Sequence, residues 1–385
     1  MFRQDFAKNA MSRNRFEILL RMLHFSNNEE TEKGDRLHKI DKLVKTLNMN
    51  FQAHFIPNES LCVDESLIPF RGRIIFRQYL KQKRHKYGIK ILKLCTTPGY
   101  TFRLEIYAGI SSESKNNTPT NIVLNLCSNL LNKGHTMYTD NWYSSVDLAD
   151  KLLDSKTHLV GTLRKNRKRL PKEVTETKLK PGEYISRETQ RGITVMKWRD
   201  KREVLLLSTK HSNILKESTS KRGLVTKKPK IILSYNQAKS AVDLSDQMSA
   251  YSTPLRKTVK WYRKRACELL LDTSIVNALV LYKQTTKRNI SIVKFRQAII
   301  KYLMTTPQEI DTPRPVRPLR GIHKLTRKEG VSKNIRRNCQ HCYKNNVKNL
   351  GTLQACNKTK KKLRLIALAV QKNLICVLTV SMLFS

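Results

Sequence analysis

The sequence has few acidic residues. Its 385 residues include 30 Asp and Glu against 75 Lys and Arg, which leaves a formal net charge of +45 at pH 7. This excess is larger than solubility requires, and it favours a polyanionic partner such as DNA or RNA. Anionic membranes and acidic proteins are alternatives, but hydrophobic residues make up 39% of the chain and are spread along it. The composition therefore indicates a folded nucleic-acid-binding protein rather than a polybasic tail.

The sequence also lacks the patterns of a secreted, membrane-anchored or disulfide-bonded protein. The start, MFRQDFAKNAMSRNRF, has no apolar region of the signal-peptide type. The apolar run at 365–385 is interrupted by polar residues at 371–373, and the uninterrupted part is too short to span a bilayer. The cysteines are either scattered or grouped near the C-terminus, which is typical of a reducing compartment rather than a disulfide framework. We therefore expect an intracellular protein without a membrane partner.

Hydrophobic periodicity predicts a mixed α/β chain. Helices are expected over the first 60 residues, where Ser12 can cap the first of them. The strands and helices expected after them are strands at 61–70, 73–80, 87–97 and 100–110, a helix through 122–130, a strand at 135–140, a helix at 145–154 and a strand at 157–163. This order is the layout of an RNase H-like domain, in which the strands carrying Asp64 and Asp140 would be neighbours. Residues 164–234 break the pattern and are expected to form a small β-rich insertion.

Three short acidic motifs carry the candidate chemistry. Asp64 lies in VDESLIPFRGR, Asp140 in YTDNWYS, and the pair Asp243 and Asp246 in VDLSDQM. Two divalent ions about 4 Å apart can drive phosphodiester cleavage or strand transfer, and Mg²⁺ needs few carboxylates because water and phosphate complete its shell. Each aspartate alone could simply form a turn or cap a helix. Their joint placement on this order of strands favours a catalytic site.

Three other features each allow a functional and a structural interpretation. The basic run at 163–170 is a nuclear localisation signal, a DNA-backbone contact or a solvated loop. Trp261 either stacks on a base or belongs to the core. Cys339 and Cys342 are half of a zinc site or two unpaired thiols in a basic tail.

The chain resembles piggyBac family transposases over about residues 10–345. The motifs that carry the resemblance are MSRNRFEILLRMLHFSNN, VDESLIPFRGR, YTDNWYSS, AVDLSDQMSAYSTPLRKTVKWYRK and the CxxCYKNN that starts the tail. The resemblance implies a DDD enzyme with an RNase H-like core, which uses two Mg²⁺ ions to excise elements through hairpin ends and insert them at TTAA.

Carried over to this sequence, the resemblance implies that Asp64, Asp140 and Asp243 are the catalytic, Mg²⁺-binding triad and that Asp246 is a further catalytic acidic residue. The residues that we expect to bind DNA are Arg71, Arg73, Lys165, Arg167, Lys168, Arg169, Arg256, Lys257 and Trp261.

A domain order follows from the same resemblance. The implied domains are a helical dimerisation and DNA-binding domain in two parts (1–60 and 247–306), the catalytic core in two parts (61–163 and 235–246), the insertion domain (164–234), a basic Pro/Arg linker (307–338) and a Cys-rich, zinc-finger-like tail (339–385). Because the end of the chain lacks the expected cysteine pairs, we expect a truncated or frameshifted tail, with at most a residual Zn²⁺ site at Cys339 and Cys342.

The combined expectation is a nuclear, homodimeric, transposase-derived protein that acts on transposon terminal repeats. The alternative is a domesticated or relic protein that binds DNA without cutting it. A third possibility is the product of a decaying element that does no work in the cell.

Overall fold

The computed structural model describes most of the first 305 residues. The described residues are 10–27, 29, 34–81, 85–109, 118–219, 223, 225–254, 258 and 260–305. Backbone contacts divide the chain into two compact units, Phe25–Lys301 and the combination of Met1–His24 with Tyr302–Ser385. The predicted linker and tail lie outside the described residues, as do the candidate site residues Arg256, Lys257, Cys339 and Cys342.

The described chain contains both helices and strands. The helices are α1 (Arg13–Met22), α2 (Asp41–Ala53), α3 (Pro119–Leu126), α4 (Val146–Asp154), α5 (Lys172–Glu176), α6 (Lys230–Ala238), α7 (Ala241–Ala250), α8 (Trp261–Glu268), α9 (Ser274–Thr286) and α10 (Ile292–Thr305). The strands are β1 (Ser60–Pro69), β2 (Gln78–Tyr79), β3 (Tyr87–Thr96), β4 (Tyr100–Ile106), β5 (Thr136–Thr139), β6 (His158–Thr162), β7 (Tyr184–Glu188), β8 (Thr194–Arg199), β9 (Glu203–Ser208), β10 (Leu215–Thr219) and β11 (Val225–Pro229).

One large sheet organises the unit Phe25–Lys301. Among the described residues, nine strands join it in the order β2-β3-β1-β5-β6-β9-β8-β7, with β4 also paired to β3. Strand β1 lies between antiparallel β3 and parallel β5, and β5 pairs in parallel with β6. The prediction that the strands carrying Asp64 and Asp140 are neighbours is therefore confirmed.

The segment at 73–80 does not form the strand that its apolar residues predict. Only Gln78–Tyr79 pairs with β3, because a turn precedes it in which Arg77 N donates to Ile74 O. The Arg77 guanidinium also donates to the carbonyls of Arg71 and Gly72, at 3.0 and 3.2 Å. These bonds curl the chain, and Phe76 is consequently buried.

Strands β7 to β9 extend the large sheet instead of forming a separate small β element. Strand β9 pairs with β6, β8 with β9 and β7 with β8, all antiparallel. Their inward side chains, including Met196, Trp198 and Leu206, pack in one core cluster with Ile231 and Ile232 of α6. Burial of this apolar face stabilises the attachment to the sheet. Strands β10 and β11 pair only with each other in the described part of the chain.

The start of α1 agrees with its capping signal. Ser12 accepts a hydrogen bond from Arg15 N at the start of α1, at 3.3 Å, as its position predicts. A π-helical turn at Leu269–Thr273 joins α8 to α9. Across the described residues, the helices are too short or too polar to cross a membrane.

Candidate active site

Asp64 and Asp140 lie at equivalent positions of two neighbouring parallel strands. Strand β1 pairs with β5 so that Val63 is opposite Thr139, and Asp64 and Asp140 are the next residues on the two chains. Because side chains alternate along a strand, both carboxylates point to the face that carries Cys62 and Tyr138, two residues earlier. That face is covered by α6 and the start of α7.

Asp243 reaches the same region from α7. The Cys62 thiol donates to the carbonyl of Lys239, just before this helix, at 3.2 Å, and Val242 packs in the same core cluster as Cys62. Burial raises the pKa of Cys62 well above its ordinary range, and the charges of Asp64 and Asp243 raise it further. The two carboxylates therefore act on one thiol, while the Asp243 side chain itself is exposed in the first turn of α7.

A tight turn holds the Asp140 carboxylate. Its Oδ1 accepts hydrogen bonds from the backbone N–H groups of Trp142 and Tyr143, at 2.9 and 3.3 Å. The turn interpretation of this aspartate is thus correct, and it also fixes the direction of the carboxylate. Burial is the main cause that raises the pKa of the Tyr143 hydroxyl, and the charges of Glu65, Asp64 and Asp140 raise it as well. This hydroxyl is buried without a hydrogen-bond partner among the described residues.

Asp246 differs from the other three aspartates because it is paired with a buried cation. Its Oδ1 accepts a hydrogen bond from Lys93 Nζ at 2.8 Å and another from Ser66 Oγ at 2.7 Å. Lys93 is opposite Asp64 in the β1–β3 ladder, and its side chain is 1% exposed. The structure thus brings Asp64, Asp140, Asp243 and Asp246 to one face of the sheet.

These carboxylates do not form a closed metal cage. In the described part of the chain, no group of three or more His, Cys, Asp or Glu side chains is arranged to hold one ion. The donor set is nevertheless hard oxygen from separate carboxylates, and the unpartnered Tyr143 hydroxyl offers a polar contact beside them. Such a set suits a cation that keeps part of its water shell, as Mg²⁺ does.

The basic run at 163–170 supports the turn after Asp140. Arg167 Nη2 donates to the carbonyls of Asn141, at 3.1 Å, and Trp142, and Arg164 Nε donates to Asn141 Oδ1 at 3.0 Å. Sequence reasoning assigned Arg167 to DNA, whereas its described hydrogen bonds are to the protein backbone.

The remaining candidate DNA contacts differ in their surroundings. Lys168, Arg71 and Arg73 are exposed, whereas Lys165 pairs with Glu203 at 3.6 Å and Arg169 with Asp150 at 2.7 Å. Trp261 is half-buried and packs edge-on against Phe76, with ring centroids 5.1 Å apart. Its described contacts agree with the core interpretation.

Sequence reasoning missed Lys93. Lysine is ordinarily an exposed residue, but every residue from Ile91 to Thr96 is buried. The available signal was the unbroken apolar run around it, which is typical of a strand covered on both faces.

Comparison with known proteins identifies relatives along most of the chain. The profile of the Transposase IS4 family matches residues 1–279. Human PiggyBac transposable element-derived protein 3 is 28% identical over 365 residues, which cover 87% of this chain and 60% of that protein. Human PiggyBac transposable element-derived protein 2 is 25% identical over 315 residues, with 76% and 52% covered. The chain thus spans roughly half to three fifths of the length of these relatives.

A solved structure shares the fold. The cryo-EM structure of a piggyBac transposase synaptic complex with hairpin DNA superposes with a TM-score of 0.66 at 26% identity. The superposition covers 75% of this chain and 62% of that one. Together with the family profile, which spans more than half of the sequence, these similarities show that the chain belongs to the Transposase IS4 family and is of the piggyBac type.

Proposed function

We propose that this chain is a transposase core that cleaves and joins DNA by metal-dependent phosphoryl transfer. The observation that carries the proposal is the convergence of Asp64, Asp140 and Asp243 from two parallel strands and a helix on one face of the sheet. Antiparallel β3 and parallel β5 on either side of β1 support an RNase H-like core.

Asp64, Asp140 and Asp243 are the residues that would hold Mg²⁺. When bound, two such ions would activate the attacking oxygen and stabilise the leaving one. The turn N–H groups engage Asp140 Oδ1 and so orient the carboxylate before the metal arrives. Arg167 and Arg164 hold the same turn from outside. Asp243 is exposed in the first turn of α7 and is therefore accessible to a metal ion from solvent.

DNA is the partner that charge and similarity favour. The net charge of +45 supplies a field that attracts a polyanion, and the solved relative is a synaptic complex with hairpin DNA. Exposed Arg71, Arg73 and Lys168 are our candidate phosphate contacts. Hairpin-ended transposon DNA as substrate, TTAA as target, a homodimer and a nuclear location belong to the same proposal.

The test uses the purified full chain and hairpin-ended duplexes that carry the inverted repeats and TTAA flanking its own gene. We expect Mg²⁺-dependent hairpin opening, and its loss in Asp64→Asn, Asp140→Asn and Asp243→Asn at an unchanged unfolding temperature. Asp147→Asn is the matched control, since this exposed aspartate pairs with Lys151 on the surface of α4. Cleavage that persists in Asp64→Asn would contradict the proposal.

A second candidate is a DNA-binding relic without catalysis. The observation that favours it is that the described residues contain no preassembled group of three metal ligands. The same assay separates the two functions, because a relic would retain the hairpin duplex in a mobility-shift assay yet fail to open it with Mg²⁺ or Mn²⁺.

A further inference from the structure

A lysine is buried in the sheet directly beside the proposed metal site. Lys93 lies within β3, between Leu92 and Leu94, which are buried as well. A charged ammonium removed from water must be compensated by a counter-ion and hydrogen bonds. In the described structure, that counter-ion is Asp246, whose Oδ1 lies 2.8 Å from Lys93 Nζ.

The Asp246 carboxylate is held from a second side. Ser66, which is also buried, donates from Oγ to the same Oδ1 at 2.7 Å. Ser66 follows Asp64 by two residues on β1 and therefore points to the same face of the sheet. Asp246 thus bridges β1 and β3 immediately next to Asp64, with one oxygen engaged by two donors.

A second buried cation lies within the electrostatic influence of the same carboxylate. Arg265 of α8 is fully buried and ion-paired with Glu268. Burial lowers the pKa of Arg265 to about 9, and the charge of Asp246 acts in the opposite direction. A divalent cation on Asp246 Oδ1 would therefore sit close to the Lys93 ammonium and within the field of Arg265, where like charges repel.

The position of Asp246 on α7 gives its ion pair a structural consequence. Residues three apart on a helix lie on the same face, so Asp246 is one turn beyond Asp243. Fixing Asp246 against Ser66 and Lys93 therefore fixes the rotation of α7 and, with it, the direction of Asp243.

We propose that Asp246 is a positioning residue and not a metal ligand: as counter-ion of Lys93 it sets the rotation of α7 and so presents Asp243 beside Asp64. This inference rests on the proposed function, since it assumes that Asp64, Asp140 and Asp243 bind the metal. It differs from the expectation that Asp246 takes a direct part in the chemistry.

The test is a double-mutant cycle in the full chain with Lys93→Met, Asp246→Asn and the pair. Urea unfolding measures stability, and the electron paramagnetic resonance signal of free Mn²⁺ measures metal binding. Each single variant leaves one charge without its partner and is destabilised, whereas the double variant regains most of the loss. We expect Asp246→Asn to weaken Mn²⁺ binding about tenfold, as loss of an outer partner does, and Lys93→Met, which keeps the Asp246 carboxylate but removes its counter-ion, to weaken it to a similar extent.

Lys90→Met is the matched control. Lys90 is on the same strand, but its Nζ lies over the Trp142 ring, 4.3 Å from the centroid. Its effect on stability should add to that of Asp246→Asn without coupling.

Two results would overturn the inference. One is additive destabilisation by Lys93→Met and Asp246→Asn. The other is weak Mn²⁺ binding by Asp246→Asn together with undiminished binding by Lys93→Met, which would make Asp246 a ligand. If the unmutated chain binds no Mn²⁺, the proposed function fails instead, and the unfolding cycle alone decides whether Asp246 and Lys93 are coupled.

Discussion

Inward-facing cations shape the region around the site at the scale of single residues. Lys93 sits beneath Asp246, and Arg167 spans the carbonyls that follow Asp140. Both residue types are ordinarily exposed, so the burial of Lys93 and the partial burial of Arg167 reflect specific partners. In a chain with so many basic residues, a few of them therefore act as internal supports rather than as contacts for DNA.

Removal of the Arg167 side chain should loosen the turn that carries Asp140. We expect Arg167→Ala to lower the free energy of unfolding by about 1–3 kcal/mol, because hydrogen bonds from a charged donor to two carbonyls are lost. Urea denaturation followed by circular dichroism measures the change. Lys168→Ala, in the same basic run but exposed, should change stability by less than about 0.5 kcal/mol. Equal effects of the two substitutions would show that Arg167 is not a support.

His211 should make stability depend on pH. Burial, followed by the charges of Lys230 and Lys210, lowers the pKa of His211 from the ordinary 6.5 to about 4, while the charge of Glu59 acts in the opposite direction. The unfolded chain therefore binds more protons between these values, so stability is fully present above pH 6.5 and falls as the pH drops toward 4.

Urea unfolding at a series of pH values measures this dependence. His211→Gln should flatten the curve between pH 6.5 and 4, because the titrating group is gone. His54→Gln, at an exposed position, is the control and should leave the slope unchanged. If the stability of His211→Gln still falls between pH 6.5 and 4, other titrating groups cause the pH dependence.

Strand β4 shows how elements are joined to the sheet. One side of β4 pairs with β3. On the opposite side, the side chains of two asparagines form the hydrogen bonds that a further strand would form. Asn277 of α9 donates to Thr101 O and accepts from Thr101 N, both at 2.8 Å. Asn48 of α2 forms the same two bonds with Leu104, at 2.9 and 3.0 Å. The edge is thereby covered by helices, which prevents pairing with another chain.

Substitution of either asparagine should destabilise the protein. Asn277→Ala leaves a buried N–H and a buried carbonyl of Thr101 without partners, so we expect a loss of about 2–4 kcal/mol in urea unfolding. Asn48→Ala should cost less, because its site is only partly buried. If Asn277→Ala leaves the free energy of unfolding unchanged, the Asn277 side chain does not stabilise β4.

The local elements could be predicted from sequence, whereas their long-range partners could not. Short apolar runs predicted β1 and β5, a cap and periodicity predicted α1, and periodicity predicted α4, since these signals lie within a few residues. The pairing of β9 with β6 and the burial of Lys93 depend on residues far away in sequence. The candidate triad was predicted from the order of strands together with the family resemblance, but the counter-ion of Asp246 was not, because Lys93 is 153 positions away.

Charge dominates the behaviour of the whole molecule. With a net charge of +45, affinity for hairpin DNA should fall linearly with salt on a double-logarithmic plot, in proportion to the phosphates neutralised. Fluorescence anisotropy between low and physiological salt measures the slope. Arg73→Gln and Lys168→Gln, both at exposed positions, should each reduce it by about one. A slope near zero would exclude the phosphate-contact proposal.

The central claim is that Asp64, Asp140 and Asp243 hold the divalent metal together. Titration of Mn²⁺ into the full chain and its three Asp→Asn variants, with free Mn²⁺ followed by electron paramagnetic resonance, tests this most directly. We expect the unmutated chain to bind Mn²⁺ and each Asp→Asn variant to lose most of this binding. All four proteins should unfold at the same urea concentration. Binding that is equal in all four proteins would contradict it.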